Sequence, residues 1–307
     1  MRIVFFGTPE FAVPSLRALL RERYPVVGVV TQPDRPRGRS RNTLVAPPVK
    51  LEAARAGIPV LQPASPLGDV FLAGFRRLEP DLGIVVAYGH ILRPAVLSLP
   101  RLGMVNVHAS LLPRWRGAAP IQHAIAAGDR ETGVSIMQME AGLDSGPVLH
   151  RIATPIGIEE TAGALAARLA ELGATALIDA LSQMSTGFVQ PEVQDAGGAT
   201  IAPKIDREAA RLDWRRDATA LSRQVRAFDP APGAWTIHDG CALKVFGAMP
   251  TDHRGEPGCV LGAGERLVVG CGGGSLAVRE VQPAGKTRLA VSDWVRGRAV
   301  AVGTRLG

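Results

Sequence analysis

Short runs of consecutive apolar residues alternate with helix-like stretches along the first two hundred residues of the chain. Between the runs, apolar residues recur at helical spacing, as in Glu10–Arg21 and in a helix that starts near Pro48 and contains Leu51–Ala56. Pro14 fits the first of these helices only if it lies in or near the first turn. The apolar runs predict buried strands at Arg2–Phe6, Val26–Val30, Leu82–Ala87 and Met104–Val107.

Continuous apolar strands with helices between them are typical of a parallel sheet that is covered on both faces. We therefore predict an α/β fold in which the N-terminal domain has a Rossmann-like, mostly parallel sheet. In open sheets of this kind, ligands bind outside the carboxyl ends of the strands. The chemistry is accordingly expected at the strand ends near Gly7, Thr31, Ala87 and His108.

The pattern changes after a long Ala- and Leu-rich helical segment at Thr161–Met184. The next segment, Gln190–Ala202, is rich in Gly and polar residues, which indicates a linker. Beyond it, Gly-rich turns separate short strand candidates, and this arrangement favours a small OB-like β-barrel. The strand candidates are Ala242–Phe246, Arg266–Val269 and Ser275–Val281. The predicted organisation is an α/β domain at 1–188, a linker at 189–203 and a C-terminal barrel at 204–307.

The composition is globular, since hydrophobic residues make up 46% and charged residues 21% of the 307 residues. Uncharged apolar stretches of about 18 residues do not occur, so a membrane span is not expected. The N-terminus lacks the layout of a secretory signal, which favours a cytoplasmic protein. Cys241, Cys259 and Cys271 match neither a zinc pattern nor a disulfide framework, and no metal site is expected.

The positive charge of the chain is unevenly spread. The formal net charge is +7, and residues 201–307 hold 16 Lys and Arg against 11 Asp and Glu. A basic balance suits a polyanionic partner, because each cation that neutralises a phosphate releases counterions. Many basic proteins never bind nucleic acid, so the charge alone is weak support for such a partner.

The densest group of candidate chemical residues lies between Gly103 and Gly146. Asn106 and His108 are two positions apart in a predicted strand, so their side chains share one face near its carboxyl end. Polar side chains in a buried strand need partners, and in isolation this pair fits a structural role as well as a chemical one. Asp144 follows in a Gly-Leu-Asp-Ser-Gly-Pro loop.

The segments around these residues carry a resemblance to a known family. The stretch SLLPRWRGAAPI follows His108 closely, and AGLDSGP surrounds Asp144. Several separate motifs in one order make a chance match improbable. The chain resembles the folate-dependent formyltransferases, and the resemblance implies that an amine attacks the formyl carbon of 10-formyltetrahydrofolate.

The residue types suit that chemistry. Attack on the formyl carbon gives a tetrahedral intermediate with a negative oxygen. Asn106 and a protonated His108 can donate hydrogen bonds to this oxygen and so form an oxyanion hole. Asp144 can orient and charge-balance the imidazole and help to relay the proton that the amine sheds. The reaction requires neither a covalent enzyme intermediate nor a metal ion.

The SLLP loop lies against the folate in this family, so the resemblance implies a donor pocket with two walls. Leu111, Leu112 and Tyr88 also fit plain core packing, because a pterin pocket and a hydrophobic core look alike in one sequence. The predicted lining residues are Ser110, Leu111, Leu112 and Pro113 in one wall and Val86, Ala87, Tyr88 and Gly89 in the other.

Further features favour the branch of the family that acts on methionyl initiator tRNA. The N-terminus reads FFGTPEFAVPSL, a strand–turn–helix pattern without the GxGxxG phosphate motif. The segment Thr31–Lys50 holds four arginines between Pro and Gly residues: Arg35, Arg37, Arg39 and Arg41. A charge run is usually a solvated loop, but the family carries a tRNA-contacting loop here. Arg39 matches the arginine that enters the tRNA end, and Arg41 is the alternative.

The C-terminal region is the remaining feature. Its segments APKIDREAARLDW, QVRAFDPAPGAW, VQPAGK and DWVRGR resemble the second domain of the family, which binds the tRNA. The basic charge there agrees with phosphate contacts that position an acceptor stem without reading bases. A monomer is expected, because two domains on one acceptor stem require no second copy. The candidate contacts are Lys204, Arg207, Arg211, Arg223 and Arg226.

Two other functions remain open on the sequence. The chain is alternatively a formyltransferase for another amine, such as an amino sugar-nucleotide, although such an enzyme needs neither the arginine loop nor the basic domain. A non-catalytic RNA-binding or folate-binding relative is the other possibility. The presence of Asn106, His108 and Asp144 counts against that second alternative.

Overall fold

The computed structural model describes residues 1–37, 43–297 and 300–307. The helices are α1 Val13–Arg21, α2 Pro48–Arg55, α3 Asp69–Arg77, α4 Pro94–Leu97, α5 Pro120–Ala127, α6 Ala162–Thr186, α7 Ala218–Ala227 and α8 Val291–Gly297. The strands are β1 Ile3–Gly7, β2 Val26–Val30, β3 Arg35–Arg37, β4 Thr43–Val45, β5 Val60–Leu61, β6 Leu82–Val86, β7 Met104–His108, β8 Arg116–Gly117, β9 Glu131–Gln138, β10 Val148–Pro155, β11 Ile201–Ala202, β12 Trp235–His238, β13 Cys241–Thr251, β14 Val260–Ala263, β15 Leu267–Gly270, β16 Ser275–Pro283 and β17 Leu289–Ala290. In the described part of the chain, no helix is both long and apolar enough to cross a membrane.

The chain forms two compact units, and each unit is assembled from separate segments. The first unit contains Met1–Gly117, Glu131–Pro155 and Ala166–Ile201. The second contains Ala118–Arg130, Ile156–Leu165 and Ala202–Gly307. Helix α5 therefore belongs to the second unit, where it packs against α7. The domain boundaries drawn from the sequence stay a prediction.

A seven-stranded sheet forms the centre of the first unit. Its strand order is β10-β9-β7-β6-β1-β2-β5, and the five strands from β7 to β5 are parallel to one another. The strands β9 and β10 extend the sheet in antiparallel pairing at the β7 edge. The prediction of a mostly parallel sheet is confirmed, whereas the antiparallel extension was not foreseen.

The strand order also fixes where a ligand crevice forms. From β1 the chain moves outward through β2 to β5, then returns to the other side of β1 as β6 and β7. Ligands in such sheets bind at the carboxyl ends of the strands where this reversal occurs. The relevant strand ends are Gly7 in β1 and Val86 in β6, with His108 at the end of the neighbouring β7.

Aromatic and aliphatic side chains pack one face of this sheet. Phe6 of β1 makes edge-to-face contacts with Phe75 and Tyr88, each with ring centroids 5.4 Å apart. Such pairs add about 0.5–1.5 kcal/mol beyond the burial of their area. On helix α1, Pro14 lies in the first turn, where its missing N–H costs no intrahelical hydrogen bond. The position of Pro14 therefore agrees with the requirement that it lie in or near the first turn.

The second unit is built on a six-stranded antiparallel sheet. Its strand order is β12-β13-β16-β15-β14, with β17 paired to β16. The three strands predicted from the sequence are present, and the first extends further, to Thr251. Within β13, Gly247 has a φ of +59°, a left-handed conformation that most side chains avoid.

Replacement of Asp217 by Ala is expected to destabilise the second unit by about 1 kcal/mol. The Asp217 side chain caps α7 by accepting a hydrogen bond of 2.8 Å from the backbone N–H of Thr219. Three of the four tryptophans, Trp214, Trp235 and Trp294, lie in this unit, so tryptophan fluorescence during urea unfolding reports on it. Asp252→Ala, at an exposed site, should leave the transition in place. Equal shifts for both variants would contradict the capping role.

Candidate active site

Asn106 lies on β7, where the sheet changes from parallel to antiparallel pairing. It is in register with Val85 of β6 on one side and with Met137 of β9 on the other. Its side chain is half-buried, and no partner for its amide occurs among the described residues. The amide N–H groups are thus available to donate to a ligand at the strand end.

His108 ends the same strand with only 5% of its surface exposed. Its Nε2 lies 2.8 Å from the carbonyl oxygen of Trp115. A carbonyl oxygen only accepts, so Nε2 carries the proton and donates this hydrogen bond. His108 Nδ1 therefore remains as the nitrogen that can face a substrate.

The carboxylate of Asp144 lies opposite Nδ1 of His108. The distance from Asp144 Oδ2 to His108 Nδ1 is 3.7 Å. The same oxygen accepts a hydrogen bond of 2.8 Å from the backbone N–H of Gly117. The structure thus brings together the three residues that were predicted from separate motifs, with the carboxylate facing the free nitrogen of the imidazole.

Several non-glycine residues near these side chains have left-handed backbone. The φ angles are +46° at Ala87, +61° at Trp115 and +45° at Asp144. This conformation costs about 1–3 kcal/mol for most residues, and it persists only where surrounding contacts impose it. Strained backbone tends to cluster at functional sites, which agrees with chemistry at this edge of the sheet.

Ser135 of β9 supports the backbone of the predicted SLLP wall through two hydrogen bonds. Ser135 Oγ donates to the carbonyl of Ser110 at 2.7 Å and accepts from the N–H of Leu112 at 3.0 Å. Ser110 is itself buried, and its hydroxyl donates to the carbonyl of Arg114 at 2.6 Å. Leu112 is 2% exposed and packs with Met137 and Val148. Leu111 and Pro113 are the members of this wall with partly exposed surface.

The other predicted wall follows β6. Val86 is buried, whereas Ala87 and Gly89 are exposed. The Tyr88 side chain is 1% exposed and belongs to the aromatic core, so any contact with a donor would come from its backbone. Burial raises the pKa of the Tyr88 hydroxyl to about 12. The Tyr88 carbonyl accepts hydrogen bonds from Thr8 and Gln32 at 2.9 and 3.1 Å.

Asp34, which precedes the arginine-rich segment, is held by side-chain hydrogen bonds. Lys50 Nζ contacts both carboxylate oxygens of Asp34 at 2.8 and 2.7 Å, and Gln62 donates to one of them at 2.8 Å. These hydrogen bonds, that of Gln62 first, lower the pKa of Asp34. Arg35 is exposed and donates to the side chain of Gln32. Arg37 ends β3, while Arg39 and Arg41 lie outside the described residues.

The basic residues predicted in the C-terminal region differ in exposure. Lys204, Arg207 and Arg211 are exposed, and the two arginines lie 5.2 and 5.5 Å from the ring centroid of Trp235. Arg223 and Arg226 are partly buried and line a cavity of about 290 Å³ in the second unit. Arg226 donates to the carbonyl of Glu160 at 3.0 Å. Burial, together with the nearby charge of Arg223, lowers the pKa of Arg226.

Some supporting residues carry no sequence signal of their own. Ser135 lies within an unremarkable strand, and Gln194 lies in the polar stretch that predicted a linker. Gln194 is nevertheless 8% exposed and contacts the Asp144 loop. In the described part of the chain, no group of three or more His, Cys, Asp or Glu residues is placed to hold a metal ion.

Comparison with known proteins identifies the family. A family model described as Formyl transferase matches residues 1–181, and one described as Formyl transferase, C-terminal domain, matches residues 204–299. The chain is 51% identical to a methionyl-tRNA formyltransferase of Methylococcus capsulatus over 310 residues, which cover all of both chains. The chain belongs to the formyl transferase family.

Solved structures share the fold of this formyl transferase. HypX from Aquifex aeolicus in complex with tetrahydrofolic acid matches with a TM-score of 0.67 and 22% identity, over 98% of this chain and 48% of HypX. This formyl transferase therefore spans about half the length of HypX. An N-formyltransferase from Helicobacter canadensis, in complex with folinic acid and dTDP-3-aminofucose, matches with a TM-score of 0.70 and 16% identity. That match covers 92% of this chain and 98% of the Helicobacter protein.

Proposed function

We propose that this formyl transferase moves the formyl group of 10-formyltetrahydrofolate to the free amino group of methionyl initiator tRNA. The observation that carries the proposal is the full-length similarity, at 51% identity, to a methionyl-tRNA formyltransferase. The juxtaposition of Asn106, His108 and Asp144 supplies the chemistry for it. The product, N-formylmethionyl-tRNA, would serve the initiation of translation.

The donor binds at the carboxyl edge of the parallel strands. Its pterin contacts Leu111 and Pro113 on one side and the exposed backbone of Ala87 and Gly89 on the other. This assignment fits the burial of Ser110, Leu112 and the Tyr88 side chain, which support the walls from within. Val86 contributes in the same way from the end of β6.

Formyl transfer proceeds through a tetrahedral intermediate. The neutral amine attacks the formyl carbon, and the carbonyl electron pair moves to oxygen. The amide of Asn106 and the protonated Nδ1 of His108 donate hydrogen bonds to that oxyanion. His108 Nε2 stays on the carbonyl of Trp115, which holds the ring in one orientation.

Collapse of the intermediate requires one proton to move. The attacking nitrogen, which became positively charged, loses a proton, and N10 of tetrahydrofolate gains one as the bond from N10 to the formyl carbon breaks. Asp144 supports this transfer by balancing the charge on His108 and by accepting the proton before it reaches N10. The hydrogen bond from Gly117 leaves the carboxylate a further lone pair for this role.

The acceptor stem contacts the basic residues through its phosphates. Arg35, Arg37, Arg39 and Arg41 approach the tRNA end, and Lys204, Arg207, Arg211, Arg223 and Arg226 contact the stem. The exposed positions of Lys204, Arg207 and Arg211 support this role most directly. Arg226 already donates to Glu160, so its contribution to tRNA binding is the smallest of the set.

The remaining features of the proposal concern organisation. The domain boundaries are 1–188, 189–203 and 204–307, with an OB-like barrel in the last part. The protein acts as a monomer in the cytoplasm. The two family models, which end at 181 and start again at 204, support a division in this region.

A direct assay tests the function. The purified chain is incubated with 10-formyltetrahydrofolate and methionine-charged initiator tRNA, and formylmethionine is measured after deacylation. Formation of formylmethionyl-tRNA is expected. Transfer to an amino sugar-nucleotide instead, with none to the tRNA, would overturn the assignment of the acceptor. Donor binding without transfer to either amine would overturn formyl transfer itself.

Replacement of Arg39 by Ala should weaken tRNA use with little change in donor binding, because a phosphate contact is lost. The slope of log Kd against log salt for tRNA should fall by about 1. Arg41→Ala is the alternative variant for the same contact. Arg76→Ala, an exposed arginine on α3, serves as the matched control. An unchanged salt slope in both loop variants would remove the electrostatic role of this segment.

A further inference from the structure

The buried amide of Gln194 bridges two parts of the active site. Its Nε2 donates to the carbonyl of Asp144 at 2.8 Å and to the carbonyl of Gly146 at 2.7 Å. Its Oε1 accepts from Nε and Nη2 of Arg116 at 3.0 and 2.8 Å. Both donor positions and the acceptor of this one side chain are thus engaged.

The Asp144 turn depends on such support for its conformation. Asp144 has a φ of +45°, and Gln194 binds carbonyls on both sides of the turn, at Asp144 and Gly146. Arg116 lies beside Gly117, whose N–H donates to the Asp144 carboxylate. Gln194 therefore holds the backbone of Asp144. It also holds Arg116, the residue next to Gly117, whose N–H binds the Asp144 carboxylate.

The segment that carries Gln194 is itself fixed to the first unit. Glu192 and Val148 exchange two backbone hydrogen bonds of 2.8 Å each. The N–H of Arg116 donates to the carbonyl of Thr200 at 2.8 Å, and the N–H of Trp115 donates to Thr200 Oγ1 at 2.8 Å. The polar stretch that reads as a linker thus lies along the active-site loops.

We infer that Gln194 is a positioning residue for formyl transfer, which sets the Asp144 carboxylate against His108. The inference rests on the proposed function, because the role of Asp144 in proton transfer belongs to that function. Gln194 is not expected to contact the donor or the acceptor. Its effect reaches the reaction only through Asp144 and through Arg116 and Gly117.

Two substitutions separate the contacts of Gln194 from each other. Gln194→Ala removes all of them. Gln194→Glu keeps an acceptor for Arg116 but sets a carboxylate oxygen against the carbonyls of Asp144 and Gly146, which repels the turn. We expect both variants to lower kcat about 100-fold, as a displacement near 1 Å of a reacting group does, with the KM for the donor little changed. Gln190→Ala, at an exposed position four residues earlier, should behave as the unaltered protein.

A double-mutant cycle tests whether Gln194 acts through Asp144. In the Asp144→Ala background, Gln194→Ala should lower the remaining rate by far less than 100-fold, because the group that it positions is gone. The same fold-loss in both backgrounds would overturn the inference and indicate a general effect on folding. Far-UV circular dichroism checks the folded fraction of every variant, because three of the four tryptophans lie in the second unit, whereas Gln194 and Asp144 lie in the first.

Amide hydrogen exchange supplies a readout that does not need activity. The Gly117 N–H should exchange faster in Gln194→Ala and Gln194→Glu than in Gln190→Ala, because its acceptor on Asp144 is displaced. Unchanged exchange at Gly117 in both Gln194 variants would overturn the inference. If the unaltered protein transfers formyl to no amine, the proposed function fails, and the exchange measurement still decides whether Gln194 positions Asp144.

Discussion

Replacement of Asp144 by Asn is expected to lower kcat for formyl transfer about 1,000-fold, the loss typical of a residue that takes part in proton transfer. The Asn side chain still offers an oxygen to the N–H of Gly117, now 2.8 Å from the carboxylate, so the turn should keep its shape. What disappears is the negative charge that faces His108 Nδ1 at 3.7 Å. Single-turnover measurements with bound donor isolate this chemical step from tRNA binding.

The control for Asp144→Asn is another carboxylate of the same segment. Glu140 is exposed four residues earlier, and Glu140→Gln removes the same charge without touching the imidazole. Its kcat should match that of the unaltered protein. A kcat for Asp144→Asn within the scatter of this control would exclude the carboxylate from the chemical step.

Replacement of His108 by Ala should lower kcat by about 100- to 1,000-fold, as expected for loss of an oxyanion donor. The substitution also leaves the carbonyl of Trp115 without its hydrogen bond from Nε2, now 2.8 Å long. Loss of one such hydrogen bond costs about 0.5–1.5 kcal/mol of folding free energy, so the variant should unfold at lower urea concentration. The kcat and the midpoint of urea unfolding are measured on the same preparation.

The two effects of His108→Ala can be separated. Assays well below the unfolding transition report the catalytic loss alone, and binding of tetrahydrofolate should persist there. His253→Ala, at an exposed position, is the matched histidine control and should show neither effect. Retained turnover in His108→Ala together with reduced stability would reassign His108 to a purely structural role.

Local sequence pattern was sufficient for four of the five parallel strands, whereas the two-residue strand Val60–Leu61 was not predicted. Val26–Val30 consists of valines and one glycine, and Met104–His108 is apolar except for Asn106 and His108, so each strand is marked by its own composition. The antiparallel edge carries no such mark. Glu131–Gln138 intersperses Val134, Ile136 and Met137 with polar residues and a glycine, and its pairing with Val148–Pro155 is decided by contacts across the sheet. Long-range pairing of this kind is not encoded in the period of either strand alone.

The candidate site shows the same division between local and distant information. Asn106 and His108 stand out as polar residues in an otherwise apolar strand, Asp144 stands out in a Gly-rich loop, and the structure brings them together. The residues that hold them do not stand out. Gln194 reads as part of a polar linker, and its buried hydrogen bonds to Asp144 and Arg116 exist only in the folded chain. Tyr88 fits both a pocket and a core from the sequence, and its side chain packs in the aromatic core.

The second unit is assembled from segments that are far apart in the chain, and this has a consequence for synthesis on the ribosome. Helix α5 buries Ile121, Ala124 and Ile125, and it packs against α7, which is translated about 90 residues later. At a translation rate of about 5–20 residues per second, the apolar face of α5 remains without α7 for roughly 5 to 20 s. During that interval the apolar residues of α5 lack their partner in the nascent chain, and we expect ribosome-associated chaperones to bind them. Slow codons between 128 and 217 should therefore lower the soluble yield more than slow codons placed after 227.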